Sequence, residues 1–218
     1  MEELIELIRT GDIDQLESKL VEDPSLADAR TEQGISLLQF AAYCRNPDAV
    51  RILRAHRSEL DIFEAASLGE EGRVKQLLDR EPELLKSFSA DGFTVLGLVA
   101  FFGHLDLAGE LLAKGADPNV PANNPFQVAP LHSACATSNL EMATLLVRKG
   151  ANVNARQMKG VTPLHSAAHN GQADLVKLLV EHGADIHART DEGQTALFMA
   201  EEAKFRETAE LIRQLEKS

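Results

Sequence analysis

One short motif returns along this chain at a nearly fixed interval, and that interval restricts the available folds more than any other feature. Thr162-Pro163-Leu164-His165-Ser166-Ala167-Ala168 comes back as Ala129-Pro130-Leu131-His132-Ser133-Ala134-Cys135 and as Thr195-Ala196-Leu197-Phe198-Met199-Ala200. Weaker copies stand at Thr94-Val95-Leu96 and Ser36-Leu37-Leu38-Gln39-Phe40-Ala41-Ala42. Anchored on the apolar residue, the copies fall at Leu4, Leu38, Ile62, Leu96, Leu131, Leu164 and Leu197, in steps of 34, 24, 34, 35, 33 and 33 residues. A second marker keeps phase with the first at Gly115-Ala116-Asp117, Gly150-Ala151-Asn152 and Gly183-Ala184-Asp185. A period of this length belongs to units that cannot bury an apolar face alone, so each must stack on its neighbours.

The unit around Leu164 reads as two helices. Thr162 suits an N-cap, and Pro163 suits the first helical position, where its missing N–H has no partner to lose. Leu164, Ala167 and Ala168 make an apolar stripe, and the small alanines let a neighbouring helix approach. Gly171 marks a turn, and Leu175, Val176, Leu178 and Leu179 give the apolar face of a second helix. Gly183 then ends it in the manner of a left-handed terminating residue. The polar stretch from Asp185 to Glu192 reads as a hairpin-like finger leading to the next unit.

Period, Thr-Pro-Leu-His box and Gly-Ala-Asp turn, held in register, resemble the ankyrin repeat. The resemblance covers essentially the whole chain as about seven units and is strongest from Leu96 onward. It implies an all-α fold, an ankyrin-repeat α-solenoid of stacked helix-turn-helix units with short β-hairpin-like fingers. The expected organisation is a single repeat domain over 1–218, with capping repeats at about 1–30 and about 189–218. Glu2, Glu3 and Glu6 decorate the first helix, while Glu201, Glu202, Lys204, Arg206 and Glu207 make the last unit wettable. Two spacings depart from the pattern. The 24-residue step before Ile62 predicts a missing or trimmed finger, and the 35-residue step spanning Pro118 to Pro125 a lengthened one. Ala129 stands where the capping threonine is expected, at a local cost of about 1 kcal/mol.

Chemistry is sparse. Resemblance gives His132 and His165 a structural hydrogen bond from helix to finger. His104, His169, His182 and His187 scatter over turns and fingers, and His56 has no evident companion. His182 and His187 flank a glycine turn without further zinc ligands. Cys135 takes an alanine position and reads as a small buried apolar residue, while Cys44 falls near a helix end. Neither has a His or Asp at an offset suited to a nucleophile. Phosphate-binding glycine loops, Gly-x-Ser-x-Gly and His-Glu-x-x-His are lacking in the sequence. Catalytic, cofactor and metal residues are therefore all expected to be none, and the chain is expected not to be an enzyme.

A net charge of −12 disfavours nucleic acid and anionic membrane surfaces as partners. The opening Met-Glu-Glu-Leu-Ile-Glu has acids where a secretory signal carries bases, and no run is long enough to span a bilayer. With only two cysteines, far apart, a reducing cytoplasmic setting is the expectation.

The resemblance implies a protein partner on a concave face, touched by finger tips and the exposed ends of the first helices. Position by position this face would present Ile35, Tyr43, Leu68, Phe93, Phe101, Phe102, Phe126, Met158 and His169. An apolar cluster rimmed by charge is the usual mark of an interaction surface, and aromatic anchors are favoured there. Phe101 and Phe102 admit a second reading, as local packing against the lengthened finger around Phe126. The free chain is expected to be a monomer. A different functional class, a small-molecule or catalytic pocket built from the same aromatic cluster, is the alternative to a protein-binding surface.

Overall fold

The repeat spacing becomes a series of helix pairs. The computed structural model describes residues 1–217. The first unit of the chain, Met1–Val95, holds three pairs: α1 (Glu2–Thr10) with α2 (Ile13–Glu22), α3 (Leu37–Tyr43) with α4 (Pro47–Ala55), and α5 (Ile62–Leu68) with α6 (Glu71–Arg80). The second, Leu96–Ser218, holds four: α7 (Val95–Phe102) with α8 (Leu105–Ala113), α9 (Pro130–Ala136) with α10 (Leu140–Arg148), α11 (Pro163–His169) with α12 (Ala173–Glu181), and α13 (Ala196–Glu202) with α14 (Arg206–Leu215). All 14 α-helices of the described residues belong to such a pair, and there is no β-strand among them. Within each unit first helices pack on first helices and second on second, α1–α3–α5 and α2–α4 in one, α9–α11–α13 and α8–α10–α12–α14 in the other.

The anchors do what their spacing demands. Leu4, Leu38, Ile62, Leu96, Leu131 and Leu164 are buried, and Leu197, in the last pair, is half-buried. The turn between the two helices of a pair repeats as strictly. Seven residues after each anchor the backbone is left-handed, at Gly11, Arg45, Gly69, Gly103, Ser138, Gly171 and Lys204. Such a residue reverses the chain in minimal length, which is why short helix pairs need one.

Both irregular steps have structural counterparts. Between α4 and α5 only residues 56–61 remain, so no finger forms there. Arg57 fills the gap: its guanidinium lies 3.1 Å from Asp28, donates to the Ala27 carbonyl at 3.2 Å, and reaches the fully buried Glu64 at 2.8 Å. Glu64 Oε2 also accepts from Asp61 N–H at 3.0 Å, while Asp61 Oδ1 accepts from Phe63 and Glu64 N–H, closing a capping box on α5. With the intermediate finger gone, the fingers before α3 and before α7 become neighbours, and Gly34 faces Ala90 so closely that a β-carbon would sit 3.1 Å from the alanine methyl. The connection 114–129 between α8 and α9 is two residues longer than 149–162 and 182–195.

The fingers are turns more than strands. Isolated antiparallel bridges occur at Arg30–Ser36 and Phe88–Thr94 only, among the described residues. The two segments match in another way: each follows a short 3-10 helix, Pro24–Asp28 and Pro82–Lys86. Asp23-Pro24-Ser25-Leu26 and Glu81-Pro82-Glu83-Leu84 thus form a variant of the finger that appears twice in the first unit.

Candidate functional site

The repeated geometry of the helix starts decides what the histidines do here. Thr162 N–H donates to His165 Nδ1 at 3.2 Å, which leaves the proton on Nε2, and Nε2–H donates to the Gln194 carbonyl of the next finger at 3.1 Å. His132 repeats the outward half, Nε2–H to the Val161 carbonyl at 3.2 Å. Its Nδ1 is buried without a partner, and Ala129 lacks the hydroxyl that Thr162 places 2.8 Å from the matching Nδ1 of His165. Burial lowers the pKa of His132 to about 4, only partly offset by the carbonyls of Val161 and Ala155; burial lowers that of His165 as well. Both rings are neutral ties between helix and finger. Cys135 is buried and its thiol is pushed up to about 12 by burial alone, so no thiolate forms near neutral pH. Cys44 is exposed, and partial burial raises its pKa too.

Asparagine ties continue the pattern between fingers. Asn119 donates to the Gly150 carbonyl and accepts from Asn152 N–H, at 3.0 and 2.7 Å. Asn154 does the same with Gly183 and Asp185, at 2.9 and 2.8 Å. At the tips, Met158 N–H donates to the Phe126 carbonyl and Asp191 N–H to the Lys159 carbonyl, each at 2.9 Å. Arg156 bonds Asp191 and the Arg189 carbonyl, both at 3.0 Å. A run of main-chain and side-chain bonds thus fixes one finger against the next.

The nine residues expected on a partner-binding surface fall into distinct environments. In the first unit, Ile35 and Phe93 follow the finger glycines Gly34 and Gly92 and are half-buried, as is Leu68 at the end of α5. Tyr43 is also half-buried and already engaged. Its hydroxyl donates to Asp91 Oδ2 at 2.6 Å, and Ser89 Oγ donates to the other carboxylate oxygen. Burial, then the Asp91 carboxylate, holds the phenol protonated far above its usual range. Tyr43 is therefore a strut between α3 and the finger before α7, a tie across 48 residues that sequence spacing could not show.

In the second unit, Phe101 and Phe102 end α7 half-buried, their rings edge to face at 5.1 Å, with Phe102 stacked on His104 at 6.4 Å. Phe126 and Met158 differ from them. Phe126 is 54% exposed and Met158 41%, on neighbouring fingers joined by the backbone bond just described. His169 is exposed at the end of α11. The structure thus brings together Phe101 with Phe102, and Phe126 with Met158. Phe88, exposed on a first-unit finger, was not foreseen; its place two residues before Ala90, beside the matching Arg30, becomes visible once the two Pro-containing fingers are aligned. Among the described residues no three His, Cys, Asp or Glu side chains gather as metal ligands, and no helix is long and apolar enough to cross a membrane.

Helix pairs turned by a left-handed residue, with helix-start histidines bonded into the next finger, define a helical repeat protein. Models described as ankyrin repeats match residues 62–157, as three copies, and 145–200, as many copies, and between them they reach across well over half the chain. The chain belongs to the ankyrin-repeat family, whose members are typically non-catalytic and generally bind proteins. It is 36% identical over 97 residues to the Transient receptor potential cation channel subfamily A member 1 homolog of Caenorhabditis elegans, covering 44% of this chain and 8% of that protein. It is 35% identical over 100 residues to Ankyrin repeat and SAM domain-containing protein 6 of Rattus norvegicus, 46% of this chain and 11% of that one. With Probable E3 ubiquitin-protein ligase XBOS31 of Oryza sativa subsp. japonica the identity is 34% over 96 residues, 44% and 21% of the two chains. The chain spans at most about a fifth of the length of these relatives.

Proposed function

We propose that this chain is a protein-interaction module, an adaptor, scaffold or inhibitor, that holds a partner protein on its fingers and first helices and carries out no catalysis. It would act in the cytoplasm as one repeat domain, monomeric when free. The observation that carries the reading is the pair Phe126 and Met158, large apolar side chains exposed on adjacent finger tips. Neither is needed to close a core, and the backbone beneath them is fixed by hydrogen bonds, so little ordering entropy is lost on docking. Exposed apolar anchors on a rigid base are what interfaces use as hot spots. Phe101, Phe102 and His169 extend the candidate surface in the same unit, and Ile35, Tyr43, Leu68 and Phe93 are its counterparts in the first.

Charge supports a basic partner. Residues 1–95 hold 20 acidic and 11 basic side chains, and residues 96–218 hold 14 and 11. Complementary charge speeds association and weakens with salt. The test is affinity capture from a lysate of the source organism with the wild-type chain and with Phe126→Ser/Met158→Ser. Because both side chains are exposed, the double variant keeps its helical circular dichroism and melts within about 2 °C of wild type. Its captured proteins are expected to disappear. An unchanged set of captured proteins would remove the finger tips from the interface.

A further inference from the structure

Gly109 sits inside α8, where nothing in the fold asks for glycine. Its backbone is outside the left-handed region, and a β-carbon built there would meet no atom within 4 Å. Glycine at such a position weakens a helix relative to alanine. At the same register the other second helices carry Glu17, Arg51, Lys75, Thr144, Lys177 and Glu210. The missing side chain opens a groove of about 520 Å³ between α8 and α10, a volume suited to a bound ligand segment. Leu105, 38% exposed, lines it together with Leu140 and Leu145.

The two ends of this groove differ in charge. Asp106 and Glu141 stand in the first turns of α8 and α10. Arg148, the last residue of α10, stands at the other end. None of these three side chains forms a hydrogen bond or ion pair with another described residue. An apolar trough with an acidic and a basic end is complementary to a segment that carries the opposite order.

We propose that the groove docks a short amphipathic helix of a partner protein, antiparallel to α8 and α10. A large aliphatic side chain would cover Gly109, a lysine or arginine would face Asp106 and Glu141, and a carboxylate would face Arg148. The span from Glu141 to Arg148 is about two helical turns, which sets the spacing between the partner's acid and base. Antiparallel docking places the partner's C-terminal turn beside Asp106 and Glu141, and a cation is favoured at a helix C-terminus. This surface is made of second helices and is independent of the finger-tip proposal.

The probe is a fluorescein-labelled, stapled alanine helix with glutamate, leucine and lysine at successive i, i+4 and i+7 positions, titrated against the full chain by anisotropy. Saturable binding is expected. Gly109→Lys, which installs the side chain that Lys177 already supplies in α12, is expected to weaken binding about tenfold or more while leaving melting unchanged or higher. A peptide with glutamate and lysine exchanged binds wild type less tightly and binds Asp106→Lys/Glu141→Lys/Arg148→Glu better than the original peptide does. No saturable binding, or equal binding by the Gly109→Lys chain, overturns the proposal. So does a dimer in sedimentation equilibrium that Gly109→Lys dissociates, since the groove would then belong to a second copy.

Discussion

Ala129 and Thr162 hold the same place in successive repeats, and one hydroxyl separates their histidines. At Thr162 the histidine below is bonded on both nitrogens; at Ala129 it is bonded on one, with the other buried and unpartnered. Ala129→Thr is expected to raise unfolding free energy by about 1 kcal/mol, read from urea denaturation at pH 7. The same histidine makes stability depend on pH. Unfolded, His132 titrates near its ordinary value of about 6.5, whereas folded it stays neutral down to about 4. Between these values the unfolded chain holds more protons, so stability falls as pH drops through that window and levels off below it. The stabilisation that His132 provides over glutamine (Gln39 fills the matching helix-start position in α3) is therefore expected to be largest at pH 7. It should shrink by up to roughly 3 kcal/mol on the way to pH 4. Equal pH profiles for wild type and His132→Gln would show that the ring is protonated while folded.

At the scale of elements, the left-handed turn after each first helix is the most regular feature of the chain, yet Arg45, Ser138 and Lys204 occupy it without being glycine. A side chain there costs about 1–2 kcal/mol relative to glycine in the folded backbone. Lys204→Gly is expected to raise the melting temperature by a few degrees without changing helical content. The helices themselves were legible from the anchors, because an apolar residue every 33 to 35 positions followed by Gly-Ala-Asp leaves few other arrangements. The trimmed finger was legible as a short step, but its replacement was not. Arg57 reaches Ala27, Asp28 and Glu64 only after α5 has docked, and no spacing rule links those positions. The paired Pro-containing fingers are present in the sequence but hidden from a single-repeat period, since their own spacing spans two helix pairs. Half-burial of Phe101 and Phe102 against the greater exposure of Phe126 depends on how neighbouring helices cover each ring, which periodicity alone does not specify.

At the scale of the molecule, the stacking seen within each of the two units is what leaves the finger tips free of core duty. Each helix pair is stabilised by its neighbours, so side chains on finger tips can be apolar and exposed without endangering the fold. The last pair shows the limit of this freedom. Phe205 lies over Gly171 so closely that a β-carbon there would sit 2.3 Å from the ring, while Phe198 takes the histidine position of the box and is 44% exposed. The outward face of α14 is otherwise charged, with Arg213 paired to Glu201. A partner docked on the fingers would cover their tips. Hydrogen–deuterium exchange of the chain alone and with its captured partner tests this most directly. Slowed exchange is expected in peptides that cover residues 123–129 and 156–161. Protection absent from both fingers in a saturated complex would contradict it.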